Sequence, residues 1–194
     1  MGAGGAPAGR ILECFAEIFS YPAGPPVALA DVVRAGETLV PPATDSGALL
    51  REFRRSVASL PLGRLQEIYT ATFDLQPRCS PYVGYHLFGE SYKRSVFLVG
   101  LQERYRQHGV CPDGELADHL SAVLRFLAAC SDAAPAEELI AEALLPALDK
   151  MLEVSAATTE GGRRPRPYDY ALRALRLVLR HRLAAAAAAE EEPA

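Results

Sequence analysis

Apolar residues recur at intervals of three and four along almost the whole chain, and this spacing constrains the fold more than any other feature. It places one stripe of side chains on one face of a helix, and that face needs a partner to be buried. No segment shows sustained alternation of apolar and polar residues, so no sheet is expected. The stripes lie at residues 11–19, 27–39, 49–60, 62–73, 91–108, 116–127, 139–152 and 172–183. The chain is therefore predicted to be all-α, a single-domain helical bundle.

Proline and glycine mark where these helices end. The first stripe stops at Tyr21-Pro22, and Pro146 should break or kink the seventh helix because proline has no amide hydrogen to donate. Gly109 is predicted to close the helix over 91–108 as its C-cap glycine. That helix is apolar on more than half its circumference, which predicts a place in the centre of the bundle.

The length of 194 residues suits one domain. We expect a flexible N-terminus over residues 1–9 and a helical domain over 10–184. A Gly/Arg/Pro linker (GGRRPRP, 161–167) should precede the last helix. The alanine- and glutamate-rich stretch over 185–194 is predicted to be a low-complexity tail.

Composition excludes several functions. Twenty basic residues against 24 acidic ones give a net charge of −4, so no general basic field for nucleic acid exists. No apolar run approaches the roughly 18 to 20 residues of a membrane span, and the N-terminus lacks the pattern of a signal peptide, so a cytoplasmic protein without stable membrane insertion is expected. No metal site and no cofactor are expected, because the cysteines and histidines lack ligand spacing. These residues are Cys14, Cys79, Cys111, Cys130, His86, His108, His119 and His181.

Glu115, Asp118 and His119 form a compact polar group in the segment GELADHL. A carboxylate beside an imidazole can orient it and raise its pKa, as acid–base pairs require. Asp118 could instead be a helix N-cap, with its oxygens on backbone N–H groups. No nucleophile, phosphate loop or second acid lies nearby, which favours a cap or the polar rim of a binding groove over catalysis.

Aromatic residues concentrate in the middle of the chain. A tyrosine has an apolar ring and a polar hydroxyl, a combination that suits a surface that grips a peptide. Core packing is the simpler interpretation, and it is the favoured one for Phe73 and Phe97. For the tyrosines both interpretations stay open. The group comprises Tyr69, Phe73, Tyr82, Tyr85, Phe88, Tyr92, Phe97 and Tyr105.

The segment 163–183 holds seven arginines against one acid, so it carries +6 and the rest of the chain −10. Arg173, Arg176 and Arg180 flank the apolar stripe of the last helix. This asymmetry could indicate an acidic surface elsewhere that receives a basic peptide, but a solvated helix face is the simpler interpretation.

The order of several short motifs in the middle third resembles a known family. These motifs are Tyr69-x-x-x-Phe73-Asp74, His86-x-x-Gly89-Glu90-Ser91 with Arg94 behind it, Leu101-x-x-x-Tyr105-x-x-His108-Gly109 and Glu115-Leu116-x-Asp118-His119-Leu120. Together they resemble the delta-chain (NarJ-type) assembly chaperones of respiratory nitrate reductase, within the wider TorD/DmsD-like family of helical chaperones for molybdenum oxidoreductases. Ala117 departs from the pattern, because the family usually has proline there.

The resemblance implies a chaperone and not an enzyme. Such a protein binds the N-terminal segment of the apo catalytic (alpha) subunit and holds it in the cytoplasm until the molybdenum cofactor is inserted. It implies no cofactor for the chaperone itself and leaves contact with cofactor-delivery proteins open. The client-binding candidates that it implies are Tyr69, Phe73, Tyr82, His86, Tyr105, Asp118 and His119, with Arg94 and Glu115 in support.

Two alternatives stay open. A chaperone of the same fold could bind the twin-arginine leader of another exported molybdenum oxidoreductase, or a small helical enzyme could use Asp118 and His119. Arg94 is expected to pair with an internal carboxylate, and the alternative is direct contact with the client. If His119 lies in the groove, client affinity should vary between about pH 5 and 8, where imidazole changes charge.

Overall fold

The structure is a computed structural model that describes residues 7–40, 44–75, 79–112, 114–159 and 166–190, and it is all-α, as predicted. Within those ranges the only β pairing is one isolated bridge between Tyr82 and His119. The helices are α1 (Pro7–Phe19), α2 (Pro26–Glu37), α3 (Asp45–Val57), α4 (Leu62–Phe73), α5 (Val83–Phe88), α6 (Tyr92–Gln107), α7 (Leu120–Ala129), α8 (Ala133–Leu139), α9 (Leu145–Thr159) and α10 (Pro167–Glu190).

Helix α1 lies in the centre of the bundle. It packs against α7 on one side and α2 on the other, and Phe15, Ile18 and Phe19 are completely buried. Its apolar residues surround the helix more widely than one stripe would, which is why it has neighbours on several sides. Helix α10 packs against α3 and α9, and Tyr168 in its first turn lies in the core against Phe53.

A break or kink was expected at Pro146, and the structure has a local change of helix type just before it. Residues Ile140–Leu144 form a π-helical segment between α8 and α9, in which the Leu145 amide donates to the Ile140 carbonyl five residues back. A proline in the next position cannot donate to the carbonyl four residues before it, so the ordinary pattern could not continue there. Gly109 ends α6 as expected, since it follows the C-cap residue His108 and has a φ of +66°.

The prediction that the helix over 91–108 lies in the centre of the bundle is wrong. Helix α6 lies on the surface and buries only Leu101 and Tyr105, while Tyr92, Val96 and Val99 are exposed. An apolar composition shows that a helix has faces that could be buried, but the number of neighbours decides which of them are.

The predicted boundaries differ from the helix ends. Helix α1 begins at Pro7, inside the expected flexible N-terminus, and α10 continues to Glu190, through most of the expected tail. Residues 1–6, 191–194 and most of the expected linker (161–165) lie outside the described residues.

On α10, Arg176 and Arg180 reach Asp149 of α9. None of the described helices is both long and apolar enough to cross a bilayer.

Candidate functional site

The loop before α7 is held to the segment before α5 by backbone hydrogen bonds. The Val83 amide donates to the Asp118 carbonyl at 2.8 Å, and the Leu120 amide donates to the Pro81 carbonyl at 2.7 Å. The Tyr105 hydroxyl of α6 donates to the Ala117 carbonyl at 2.6 Å. These bonds fix the loop from both sides even though alanine occupies the position where proline was expected.

Asp118 is a buried anchor and not a helix cap. Arg94 donates to it through Nε–Oδ2 at 2.8 Å and Nη2–Oδ1 at 3.3 Å, and the carboxylate has no solvent exposure. A fork of this kind gives both carboxylate oxygens a charged donor. The pair raises the pKa of the Arg94 guanidinium above its usual value, through its hydrogen bond with Asp118. The expected role of Arg94 as partner of an internal carboxylate is confirmed.

His119 is the residue that caps α7, and both of its ring nitrogens are engaged. Nδ1 accepts from the Ser121 amide at 3.3 Å and contacts the Ser121 hydroxyl at 2.7 Å. A proton is therefore assigned to Nε2, which lies 3.5 Å from the Tyr69 hydroxyl. That hydroxyl donates in turn to the Phe19 carbonyl at 3.0 Å. A chain of hydrogen bonds thus connects α7, α4 and α1 through a neutral imidazole.

Burial lowers the pKa of His119 to about 4, because its effect is larger than the opposite effect of the nearby Asp118 charge. The imidazole therefore stays neutral from about pH 5 to 8, and the expected change of client affinity over that range cannot come from this residue. The Asp118 and His119 side chains are also inaccessible to a substrate, since neither is more than 2% exposed. The arrangement does not offer an acid–base pair to an enzyme's reactant.

Tyr82 and Glu115 form the outer layer of the same cluster. The Tyr82 hydroxyl donates to Glu115 Oε2 at 3.4 Å, and its ring meets His119 edge-on at 5.4 Å. The Arg94 guanidinium lies 5.5 Å from the ring centre. Partial burial raises the pKa of Tyr82, and the charge of Glu115 adds to this rise. Tyr82 is half-buried and Glu115 is exposed, so both can meet a ligand.

The remaining predicted residues are internal. Tyr69, Phe73 and Tyr105 are buried, and the Tyr69 and Phe73 rings pack at 4.9 Å, so neither presents a surface to a client in this structure. His86 lies apart from the cluster, with Nε2 2.7 Å from the Ser80 carbonyl. Core packing is therefore the correct interpretation for Tyr69, Phe73 and Tyr105. Each of these side chains, like that of His86, has its contacts inside the bundle.

Next to the buried cluster lies a set of five exposed residues and the half-buried Tyr82, and we call this set the rim. It combines apolar and acidic side chains. The Tyr21 ring lies edge-on to Tyr69 at 5.4 Å, and the negative charge of Asp74 acts on the pKa values of Tyr69, Tyr82 and His119. The rim comprises Tyr21, Asp74, Leu75, Tyr82, Glu115 and Leu116.

Sequence reasoning missed four of the rim residues: Tyr21, Asp74, Leu75 and Leu116. A signal was present, because Asp74-Leu75 and Glu115-Leu116 are both an acid followed by leucine, and both lie just outside a helix. Leu116 was instead assigned to a buried stripe.

Gly84 is a further residue that the sequence did not single out. A Cβ atom there would lie 2.8 Å from Asp118 Oδ2 and 2.9 Å from a carbon of the Phe97 ring. The missing side chain therefore lets α5 approach the Arg94–Asp118 pair closely.

No group of three or more metal-ligating side chains occurs among the described residues. An apolar cavity of about 670 Å³ lies between α1, α3 and α10, and it shares no residue with the rim or the cluster beneath it. Ile11, Val40 and Val178 are among its lining residues.

Comparison with known proteins identifies the family. Residues 41–157 match the family described as the nitrate reductase delta subunit, and this stretch contains every predicted site residue and all of the rim except Tyr21. One curated relative is the probable nitrate reductase molybdenum cofactor assembly chaperone NarJ of Bacillus subtilis (strain 168), with 37% identity over 81 residues. That alignment covers 41% of this chain and 44% of the relative, so under half of each protein is compared. The family match spans more than half of the chain, and the chain therefore belongs to the nitrate reductase delta subunit family.

Proposed function

We propose that this protein is a chaperone for the assembly of a molybdenum-containing nitrate reductase. It binds the N-terminal segment of the apo catalytic subunit and holds that subunit in the cytoplasm until the molybdenum cofactor is inserted. The observation that carries the proposal is the family match over 41–157, which the name of the Bacillus subtilis relative supports. The role is one of binding and release, not of catalysis.

The rim is the surface that we assign to the client. Tyr21, Leu75 and Leu116 expose apolar surface, and Asp74 and Glu115 place two carboxylates among them. An amphipathic helix that carries lysine or arginine beside its apolar face matches both properties. The acids select for the basic residues and speed the encounter, while the apolar side chains supply most of the affinity.

The buried cluster gives the rim its shape. Tyr82 is held against His119 and Arg94, and the loop that carries Glu115 is fixed by the bridge and by Tyr105. A client that folds on binding loses conformational entropy, so a rigid receptor limits the further entropy that binding costs. Moderate affinity and eventual release follow from the same entropy loss.

Titration calorimetry tests the proposal. The ligand is a synthetic peptide of about 20 residues, equal to about 30 Å of helix, from the N-terminus of a nitrate reductase catalytic subunit. Saturable binding is expected, and Leu116→Ser should weaken it. Val27→Ser is the control, because Val27 is an exposed apolar residue like Leu116 but lies on α2, outside the rim.

Glu115→Gln tests the charge, since it should weaken binding more at low salt than at high salt. Equal affinity of Leu116→Ser and the wild type would reject the rim as the client's surface. Absence of binding by the folded protein, together with binding of a twin-arginine leader, would instead favour another molybdenum oxidoreductase as the client.

A further inference from the structure

Helix α6 carries an apolar face that nothing in the described structure covers. Tyr92, Val96 and Val99 are 83%, 55% and 65% exposed, and they lie at positions i, i+4 and i+7. Isolated exposed apolar residues are normal on a protein surface, but three large ones in one helical stripe are not. The stripe points away from Leu101 and Tyr105, the residues by which α6 joins the core.

Small residues flank the stripe. Ser95 lies on one side and Gly100 on the other, and a Cβ atom at Gly100 would meet no atom within 4 Å. Glycine in an exposed helix interior costs about 0.5–1 kcal/mol relative to alanine, and no close contact among the described residues requires a glycine here. Small side chains beside an apolar stripe allow a second helix backbone to approach closely.

The pattern along α6 is complementary to itself. If two copies pack antiparallel about a twofold axis through the middle of residues 97–98, Val96 of one copy comes level with Val99 of the other. The same axis brings Ser95 level with Gly100. Large residues therefore share the central layers, and small residues share the layers beside them, as a twofold interface requires.

The polar ends of the stripe match as well. The same axis brings Tyr92 level with Glu103 of the second copy, so a phenol hydroxyl meets a carboxylate. It also brings Lys93 near that Glu103, and opposite charges are then adjacent.

We propose that α6 is a self-association surface, through which two copies of this chain pair antiparallel. The rim lies outside this stripe, and the two surfaces share no residue. Three large side chains per copy cover less than the roughly 1,200 Å² of a standard interface. The dimer is therefore weak and reversible, and it forms only at high concentration.

Sedimentation equilibrium of the full chain between about 5 and 500 µM tests this, because a reversible dimer depends on concentration. The average mass should rise from 20.9 kDa towards twice that value. Val96→Glu and Val99→Glu each place two extra carboxylates in the centre of the dimer, and each should weaken it by at least about tenfold. Val27→Glu is the matched control, since it makes the same change at a valine that is 58% exposed on α2.

A wild-type mass that stays at the monomer value up to the highest concentration would overturn the proposal. A dimer that Val27→Glu weakens as much as Val96→Glu, or that neither α6 variant weakens, would overturn it too. If the protein is monomeric and Val96→Glu abolishes leader-peptide binding, the face belongs to the client and not to a second copy. Circular dichroism of each variant establishes that it is folded before its mass is measured.

Discussion

Removing the positive charge of Arg94 should destabilise the whole fold. Its guanidinium provides both donors to Asp118, whose side chain has no contact with water. In Arg94→Met the carboxylate loses those donors and cannot replace them with solvent. Breaking a buried pair in this way costs about 3–5 kcal/mol, a large part of a typical stability of about 5–15 kcal/mol.

Urea unfolding followed by far-UV circular dichroism measures the loss of free energy of unfolding. The matched control is Arg64→Met, which removes an arginine that pairs with Glu67 at 2.7 Å while both side chains are more than 60% exposed. Exposed pairs contribute about 0–1 kcal/mol, so the control should stay within that range. The comparison separates the effect of burial from the effect of losing an arginine.

The double variant Arg94→Met/Asp118→Leu completes the test. Replacing both members of a buried pair by apolar residues of similar size is often neutral, so most of the loss in the single variant should be recovered. A single variant that loses no more than Arg64→Met would refute the reasoning. A double variant at least as unstable as Arg94→Met would show that the charge left at Asp118 is not the cause.

Two further predictions concern the same cluster. Gly84→Ala should lose about 1–3 kcal/mol, because its new methyl group overlaps the Asp118 carboxylate, whereas Gly63→Ala, with open space around it, should gain about 0.5–1 kcal/mol. The folded-state pKa of His119, about 4, lies below its ordinary value of 6.5, so between these values the unfolded chain binds more protons. Stability should therefore fall by up to about 3 kcal/mol as the pH drops from 6.5 to 4, and His119→Gln should lack that part of the fall.

Both predictions have clear contrary results. Equal stability of Gly84→Ala and Gly63→Ala in urea unfolding would mean that α5 can move away from the pair at no cost. If His119→Gln loses stability between pH 6.5 and 4 as steeply as the wild type, the imidazole is not the group that takes up the proton.

Periodicity predicted most of the helices, but it missed α5 and most of α8, and it did not predict which helices are neighbours. The stripes over 11–19 and 49–60 correspond to α1 and α3, because their apolar residues are also the buried ones. Val96 and Val99 follow the same period and are exposed, since no second helix among the described residues lies over that part of α6. The period records which residues share a face, and only the tertiary arrangement determines whether that face is covered.

For the candidate site, too, the sequence predicted one aspect and not another: it predicted which residues are involved but not how deeply they are buried. The resemblance named Tyr82, Asp118 and His119 among the client-binding candidates, and in the structure a backbone bridge and a ring contact join Tyr82 to His119, the residue next to Asp118. Their depth was not predictable, because it depends on the loop before α7 leaving the helical path. The expected helix over 116–127 begins only at Leu120. Because of this later start, Leu116 is exposed, and Asp118 and His119 are buried just before α7.

The hydrogen bonds beneath the rim connect parts of the chain that are distant in sequence. Tyr69 lies 50 residues from both Phe19 and His119, and Arg94 lies 24 residues from Asp118. Closing loops of this length costs conformational entropy, so such contacts form more slowly than the local contacts within a helix. A partly folded copy would have its helices but no organised rim, so on the function proposed above, client binding should require the completely folded chain.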